Sequence, residues 1–388
     1  MKLKLSDVKN RIGESITLNL NAKVAKIKKE GKPLIHLGGG EPQFPAPQSC
    51  VDAIIAKANT RNLKYTAVGG TPEIKNAIVK YTKKNYGKEI KPSNVVVSAG
   101  AKQSLFNFLI ATVDKGDEVI FPAPYWVSYP DMVQLAGGKP VIVKPKEGTF
   151  QPDIEAIKNA TTEKTTAIII NSPNNPSGTV IDESFIKAVV EFCEEKGIYL
   201  VMDDIYNKLV FEGKEAPSAF KFAKDCDNIV IVNGVSKIYG LTGVRIGWAI
   251  GNEEICKLMT KIQAQSTSCP SDLSQSAAQG VLEGSQDCIE ELRTTLEANK
   301  KVALEELAKI PHLKINEPGG TFYSLIDFSY YNKSSIDLAE FLLEKALVAV
   351  VPGVAFGMEG HLRISYCASK ENVIEGISRI KKALEELK

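Results

Sequence analysis

Lys237 lies between two apolar runs, 229–232 and 246–250, in the stretch NGVSKIYGLTGVRIGWAIG. An amine in such surroundings loses hydration, which favours its neutral, nucleophilic form. Three more apolar runs end in polar groups. IIINSPNNPSGT closes on Asn174, Asn175 and Gly178, YLVMDDIY on Asp203 and Asp204 with Tyr206 just beyond, and NVVVSAGAK on Gly100 where a helix begins. Singly, each has a structural use: Asn-Pro-Ser-Gly makes a turn, an aspartate caps the next element, and Ser-Lys sits on a surface. As a set they match pyridoxal 5′-phosphate chemistry. The lysine amine condenses with the cofactor aldehyde. Asp203 would face the pyridine nitrogen and keep it protonated, so that the ring can accept carbanion charge. Asn175 and Tyr206 suit the ring hydroxyl. Ala101 and Lys102 at the helix start, with Ser236 and Arg245, supply the donors a phosphate needs.

Short runs rich in Val and Ile, without alternation, must carry these groups. They include NVVVS, DEVIF, TTAIII, IYLVM and NIVIV, and helical patterns such as AKQSLFNFLIATV and DESFIKAVVEFCEEKG separate them. Such runs suit strands buried on both faces of a mostly parallel α/β sheet, where ligands bind at the carboxyl ends of strands. PEIKNAIVKYTKKNYG reads as a helix capped by Thr71, with Pro72 in its first turn. From about residue 285 a long helical stretch, the isolated strands TFYSLIDF, VAVVPG and LRISYC, and a last amphipathic helix predict a smaller α+β domain. The expected division is 46–284 as the large cofactor domain and 285–388 as the small one, joined by an N-terminal segment 1–45.

The 48 basic residues nearly balance the 46 acidic ones, so no field draws nucleic acid or an anionic membrane. Seven scattered cysteines without a C-x-x-C pair, and three histidines, predict neither a disulfide framework nor a metal site. No run reaches signal-peptide or membrane-spanning length, so a soluble cytoplasmic protein is expected. The glycines at 38–40 do not form G-x-G-x-x-G after a strand, which argues against a nicotinamide site.

The motifs SPNNPSGT, DDIY, SKIYGLTGVRIGW, LGGGEPQFP, KYTAVGGTPEIK, GAKQSLFN, PAPYWVSY, PGGTFY, VPGVAFG and LRISY run in order from residue 37 to 366. In this the chain resembles the class I aminotransferases of the pyridoxal-phosphate-dependent fold type I superfamily, nearest the bacterial and archaeal aspartate aminotransferases. The resemblance implies Lys237 as the Schiff-base lysine, Asp203 as the pyridinium partner, and Asn175 and Tyr206 at the ring oxygen. It implies Trp126 stacked on the cofactor, where a purely structural tryptophan is the alternative. Ser236, Arg245 and the backbone at Ala101 and Lys102 resemble the phosphate cup. Tyr65 resembles a tyrosine reaching the neighbouring subunit's phosphate, which implies a homodimer with shared active sites. Arg363 resembles the clamp on the substrate α-carboxylate, with Gly40 letting backbone approach the same group. Two departures stand out: relatives usually carry Glu at the place of Asp204, and EPDFP where this chain has Gln43.

The implied reaction is ping-pong transamination between an L-amino acid and a 2-oxo acid. Lys237 would move a proton between substrate Cα and the cofactor, which requires an amine pKa well below about 10.4. In the similar subgroup, residues matching Ser15, Thr17 and Lys102 meet an acidic substrate's distal carboxylate, although Ser15 and Thr17 also suit a turn. Arg11 adds a charge without an assigned place. Aspartate or glutamate is the expected substrate, with aromatic amino acids or prephenate as the alternative. A β-lyase or a synthase acting on an activated methionine would use the same cofactor residues. A ligand-sensing regulator would need a DNA-binding segment before LGGGEP, for which residue 37 leaves no room.

Overall fold

The structure, a computed structural model, describes residues 6–13, 16–224 and 227–387. After α1 (Ile16–Lys29) and β1 (Ile35–His36) come α2 (Gln48–Asn59), α3 (Pro72–Tyr86), β2 (Val95–Ser98), α4 (Ala101–Thr112) and β3 (Glu118–Pro122). The chain continues through α5 (Tyr129–Ala136), β4 (Lys139–Val143), α6 (Ile154–Ala160), β5 (Thr165–Asn171), α7 (Glu183–Lys196), β6 (Tyr199–Asp203), β7 (Ile229–Gly234) and β8 (Gly247–Ile250). Next come α8 (Glu253–Ser266), α9 (Asp272–Glu283), α10 (Asp287–Leu307), β9 (Lys314–Ile315), β10 (Tyr323–Asp327) and α11 (Ser335–Lys345). The last elements are β11 (Val348–Ala349), β12 (Val351–Pro352), β13 (His361–Ser365) and α12 (Lys370–Leu384).

A seven-stranded sheet in the order β2-β8-β7-β6-β5-β3-β4 forms the centre. Strands β4, β3, β5, β6 and β7 run parallel, while β8 is antiparallel to both neighbours. The central strands bury every residue of β7 and β8, as expected of runs covered by helices on both faces. The ends of β5, β6 and β7 are adjacent. The end of β2 is not their neighbour, because β8 lies between. The four runs ending in polar groups give no sign of this separation in the sequence, since a return strand's pairing leaves no local mark.

Local chemistry sets the helix boundaries that matter to the site. The Thr71 hydroxyl accepts from Ile74 N–H, Pro72 opens α3, and Gly87 at φ +65° closes it. Helix α4 starts differently. Gly100 at φ +92° precedes it, and no side chain caps its first turn. A Cβ on Gly247 would lie 2.1 Å from the Ala101 nitrogen, so only glycine lets β8 pass beneath this helix start.

Towards the C-terminus, β12, β13, β10 and β9 form a four-stranded antiparallel sheet. VAVVPG, expected as one strand, is split: Val348–Ala349 pairs with β1 and Val351–Pro352 with β13. The pairing with β1 ties the segment before residue 45 to these late elements. Among the described residues no helix is long and apolar enough to cross a membrane.

Candidate active site

A cavity of about 320 Å³ opens where β5, β6 and β7 end, and the residues around 38–40, 323 and 363 wall its other side. Asn171, the last residue of β5, braces this region. Its Nδ2 donates to the Asp203 carbonyl at 2.7 Å, and its Oδ1 accepts from Asn175 N–H at 2.8 Å. The following turn folds on Asn174, whose Oδ1 accepts from the backbone and hydroxyl of Ser177. Asn175 is thereby turned into the cavity, where its Oδ1 accepts from Arg363 Nη1 at 2.9 Å.

Asp203 ends β6 and is 5% exposed. One carboxylate oxygen accepts the Tyr129 hydroxyl at 2.7 Å, while Oδ1 is buried without a partner. Burial pushes its pKa up to about 6, against the opposing pull of the Tyr129 hydrogen bond. A cationic ring N–H would satisfy the orphan oxygen and bring the pKa back down. Lys237 follows β7 by three residues, and its Nζ donates to the Gly40 carbonyl at 2.6 Å. Burial, then the positive charge of Arg363, lowers its pKa to about 8. So apolar a stretch suits a reactive lysine: with the pKa at about 8, roughly a tenth of the amine is deprotonated at pH 7, on the order of 300-fold more than for a lysine at 10.5.

Arg363 lies in β13 and is 5% exposed. Its guanidinium sits 4.2 Å from the centroid of the Tyr323 ring and 5.1 Å from that of Phe356. Nη2 donates to the Gly38 carbonyl at 2.9 Å, whereas Nε is buried and unpartnered. Of the five guanidinium N–H groups, two are therefore used internally and the rest remain for an anion. Tyr206 is buried and bonds through its hydroxyl to that of Tyr323.

At the start of α4, the Arg245 guanidinium donates to the carbonyls of Thr242 and Ala99 at 3.0 and 3.4 Å. A Cβ on Gly100 would touch its Nη2 at 2.7 Å. Ala101, Lys102 and Ser236 line the same end of the cavity. The Lys102 ammonium donates to Ser128 Oγ at 3.1 Å and lies 4.7 Å from the Trp126 ring centroid. Trp126 lines the cavity and meets Tyr129 edge to face.

The cavity thus gathers Lys237, Asp203, Asn175, Tyr206, Trp126, Ala101, Lys102, Ser236, Arg245, Gly40 and Arg363. Tyr65 is not among them: it is 92% exposed and outside its own chain's cavity. Ser15 and the side chain of Thr17 lie outside the described residues. Arg11 donates to the Gln134 carbonyl at 3.1 Å. Asn171, Tyr129 and Tyr323 belong to the site without any mark of it in the sequence. The last two stand inside PAPYWVSY and PGGTFY, but only the fold brings them against Asp203, Tyr206 and Arg363.

An amine held partly neutral, a buried carboxylate with a free oxygen, a guanidinium with free donors and an uncapped helix start face one cavity. That is the apparatus of an enzyme acting on amino groups next to a carboxylate. The sequence model of the family Aminotransferase class I and II matches residues 32–380. The chain belongs to that family and is an aminotransferase of fold type I. It is 42% identical to a probable aspartate/prephenate aminotransferase of Aquifex aeolicus, with all of both chains covered. It is 40% identical to an aspartate aminotransferase of Bacillus subtilis, over 99% of this chain and 100% of that one. Among solved structures, aspartate aminotransferase from Thermus thermophilus with maleate superposes with a TM-score of 0.94 at 37% identity, covering 99% of this chain and 100% of that one.

Proposed function

We propose that this aminotransferase uses pyridoxal 5′-phosphate to pass the amino group of aspartate or glutamate to a 2-oxo acid. The observation that carries the reading is the pair of unpartnered buried atoms, Asp203 Oδ1 and Arg363 Nε, in residues lining the cavity that also holds Lys237. Each is costly to leave unsatisfied. A pyridinium N–H and a carboxylate are the groups that would satisfy them. When bound, the cofactor supplies an aldehyde for the amino group and an electron sink for the Cα–H bond.

The chain's own residues do the rest. Arg363, with the Gly38–Gly40 backbone, binds the α-carboxylate and fixes which Cα bond faces the ring. Lys237, its pKa lowered, takes the proton from Cα and returns it on the other side of the exchange. Asp203 holds a negative charge at the ring nitrogen, and Tyr129 keeps that carboxylate oriented and ionised. Asn175 and Tyr206 would hold the ring oxygen, and Trp126 would pack on the ring. The α4 start, Ser236 and Arg245 would hold the phosphate. Tyr65, exposed on its own subunit, reaches the phosphate of a second copy, so the working form is a homodimer. Segments 1–45 and 285–388 act as one small domain against the large domain 46–284. Free thiols at the described cysteines suit work in the cytoplasm.

Lys102 supports the dicarboxylic substrate, because it lines the cavity and its ammonium lies 4.7 Å from the centroid of the Trp126 ring on the same wall. Ser15 and Thr17 are proposed to complete that contact. The names of the relatives support the same choice. Leu20, Val127 and Val351, also on the wall, favour an additional aromatic or prephenate-like side chain, as the name of the Aquifex aeolicus relative does. Product analysis with aspartate, glutamate, phenylalanine and prephenate decides. Glutamate formed from aspartate and 2-oxoglutarate supports the proposal. Lyase products without a new amino acid would refute it.

A further inference from the structure

Asp204 is 3% exposed and has no part in the chemistry above. It follows Asp203 at the end of β6, so the two side chains leave the strand on opposite faces. Asp203 faces the cofactor cavity, and Asp204 lines a separate cleft of about 380 Å³. Its partner there is Tyr86, at the end of α3. The Tyr86 oxygen accepts from Asn207 Nδ2 at 3.2 Å and from Asn233 Nδ2 at 3.0 Å. With both lone pairs used, its one hydrogen goes to the Asp204 carboxyl. Asn207 Oδ1 accepts in turn from Asn233 Nδ2 and from the Tyr81 hydroxyl, each at 3.2 Å.

This cluster joins two strand ends that carry the chemistry. Asn233 lies in β7, four residues before Lys237. The backbone repeats the link, because Asp204 N–H donates to the Val232 carbonyl at 2.9 Å. A shift at Asp204 therefore moves the neighbouring Asp203, and a shift at Asn233 moves the strand leading to Lys237. We propose that Asp204 is a positioning residue, which holds Asp203 and Lys237 at their working separation through Tyr86 and Asn233. This rests on the transamination reading above.

Asp204 does so as an uncharged acid. It interacts with Tyr81 and Tyr86 from α3 and with Asp203 on its own strand, and Lys208, Lys214, Glu215, and Glu290 and Arg293 from α10 line the same cleft. The cations do not serve as its counter-ions. Lys214 is held by Glu212 at 2.7 Å, and Arg293 by Glu290 and Glu297 at 2.5 and 2.7 Å. Burial lowers the Lys208 pKa, and the acidic charge it meets is that of Glu215. Burial first, and the charge of Asp203 after it, raise the Asp204 pKa to about 8. Keeping Asp204 neutral leaves Asp203 as the carboxylate whose charge the cofactor ring meets.

The test compares Asp204→Asn, which is uncharged and still hydrogen-bonds, with Asp204→Leu, which has similar size and no polar group. Three quantities are read: kcat and KM, pyridoxal-phosphate affinity of the apoprotein by fluorescence quenching, and apoprotein melting temperature against pH. Asp204→Asn is expected to keep kcat and cofactor affinity within about threefold, and Asp204→Leu to lose kcat by about tenfold or more at little-changed KM. Tyr86→Phe should reproduce that loss, and it carries the comparison should the leucine variant not fold. Because the folded acid keeps its proton to about pH 8, the wild type should lose melting temperature relative to Asp204→Asn as pH rises from about 5 to 8. The proposal is overturned if Asp204→Asn falls as far as Asp204→Leu, or if both Asp204→Leu and Tyr86→Phe behave as wild type. A wild type that takes up no pyridoxal phosphate would instead overturn the functional reading, and the positioning role with it.

Discussion

Replacing Arg363 by lysine keeps the charge and removes the fork. In the structure Nη1 is committed to Asn175 and Nη2 to Gly38, which leaves Nε and one N–H on each terminal nitrogen for a ligand. A lysine ammonium has three donors at one point. Serving the two internal acceptors would leave one for the carboxylate, and serving the carboxylate would strand Asn175 or Gly38. Losing one charge-assisted hydrogen bond costs about 1.5–3 kcal/mol, and the contacts to Tyr323 and Phe356 are weakened as well. The sum is about 3–4 kcal/mol, or on the order of 100- to 1,000-fold in kcat/KM, carried mostly by KM. Steady-state kinetics with aspartate and 2-oxoglutarate reads the loss. A single-turnover rate with the α-carboxamide of the same amino acid is the control, since that substrate offers no carboxylate. A loss below about fivefold, or an equal loss on the carboxamide, would refute the clamp.

Removing the Tyr129 hydroxyl with Tyr129→Phe takes away the hydrogen bond that pulls the Asp203 pKa below what burial alone would give. Activity of this variant should therefore fall at a higher pH than wild type as the medium is acidified, by about one pH unit for about 1.4 kcal/mol, as a pH profile of kcat will show. Gly247→Ala would set a methyl 2.1 Å from the Ala101 nitrogen at the start of α4, so cofactor affinity, measured by titrating the apoprotein, should drop by about tenfold or more. In the apoprotein the Lys237 pKa, lowered from 10.5 to about 8, makes the native state bind fewer protons than the unfolded chain between those values. Lys237 therefore destabilises the fold fully below pH 8, by up to about 3 kcal/mol, and the penalty fades as pH rises towards 10.5. Chemical denaturation of wild type against Lys237→Met over that range should show the variant's advantage shrinking.

The parts of the site fixed by short-range pattern could be read directly from the chain. Unbroken Val and Ile runs located the buried strands, and the polar residues ending them placed Asp203, Asn175 and Lys237 near one ligand-sized space. Long-range pairing was not legible. Nothing local in GWAI marks β8 as the strand that returns between β7 and β2, or shows that its glycine passes beneath α4. VAVVPG likewise gives no sign that its two halves serve different sheets. Tyr129 illustrates the same limit: its hydroxyl meets Asp203 across 74 positions, a contact made by how α5 packs rather than by any motif. The chain shows Asp204 as a polar strand end and a departure from the usual Glu, but not its role, because its partners lie on α3, β7 and its own turn.

Transamination of aspartate is read most directly in the absorption spectrum of the purified, pyridoxal-phosphate-loaded protein before and after L-aspartate, with no 2-oxo acid present. The loaded protein should show a visible cofactor band that aspartate converts to the near-ultraviolet band of the aminated cofactor, with one oxaloacetate released per site. A band that aspartate and glutamate both leave unmoved, or a protein that binds no pyridoxal phosphate, would contradict transamination.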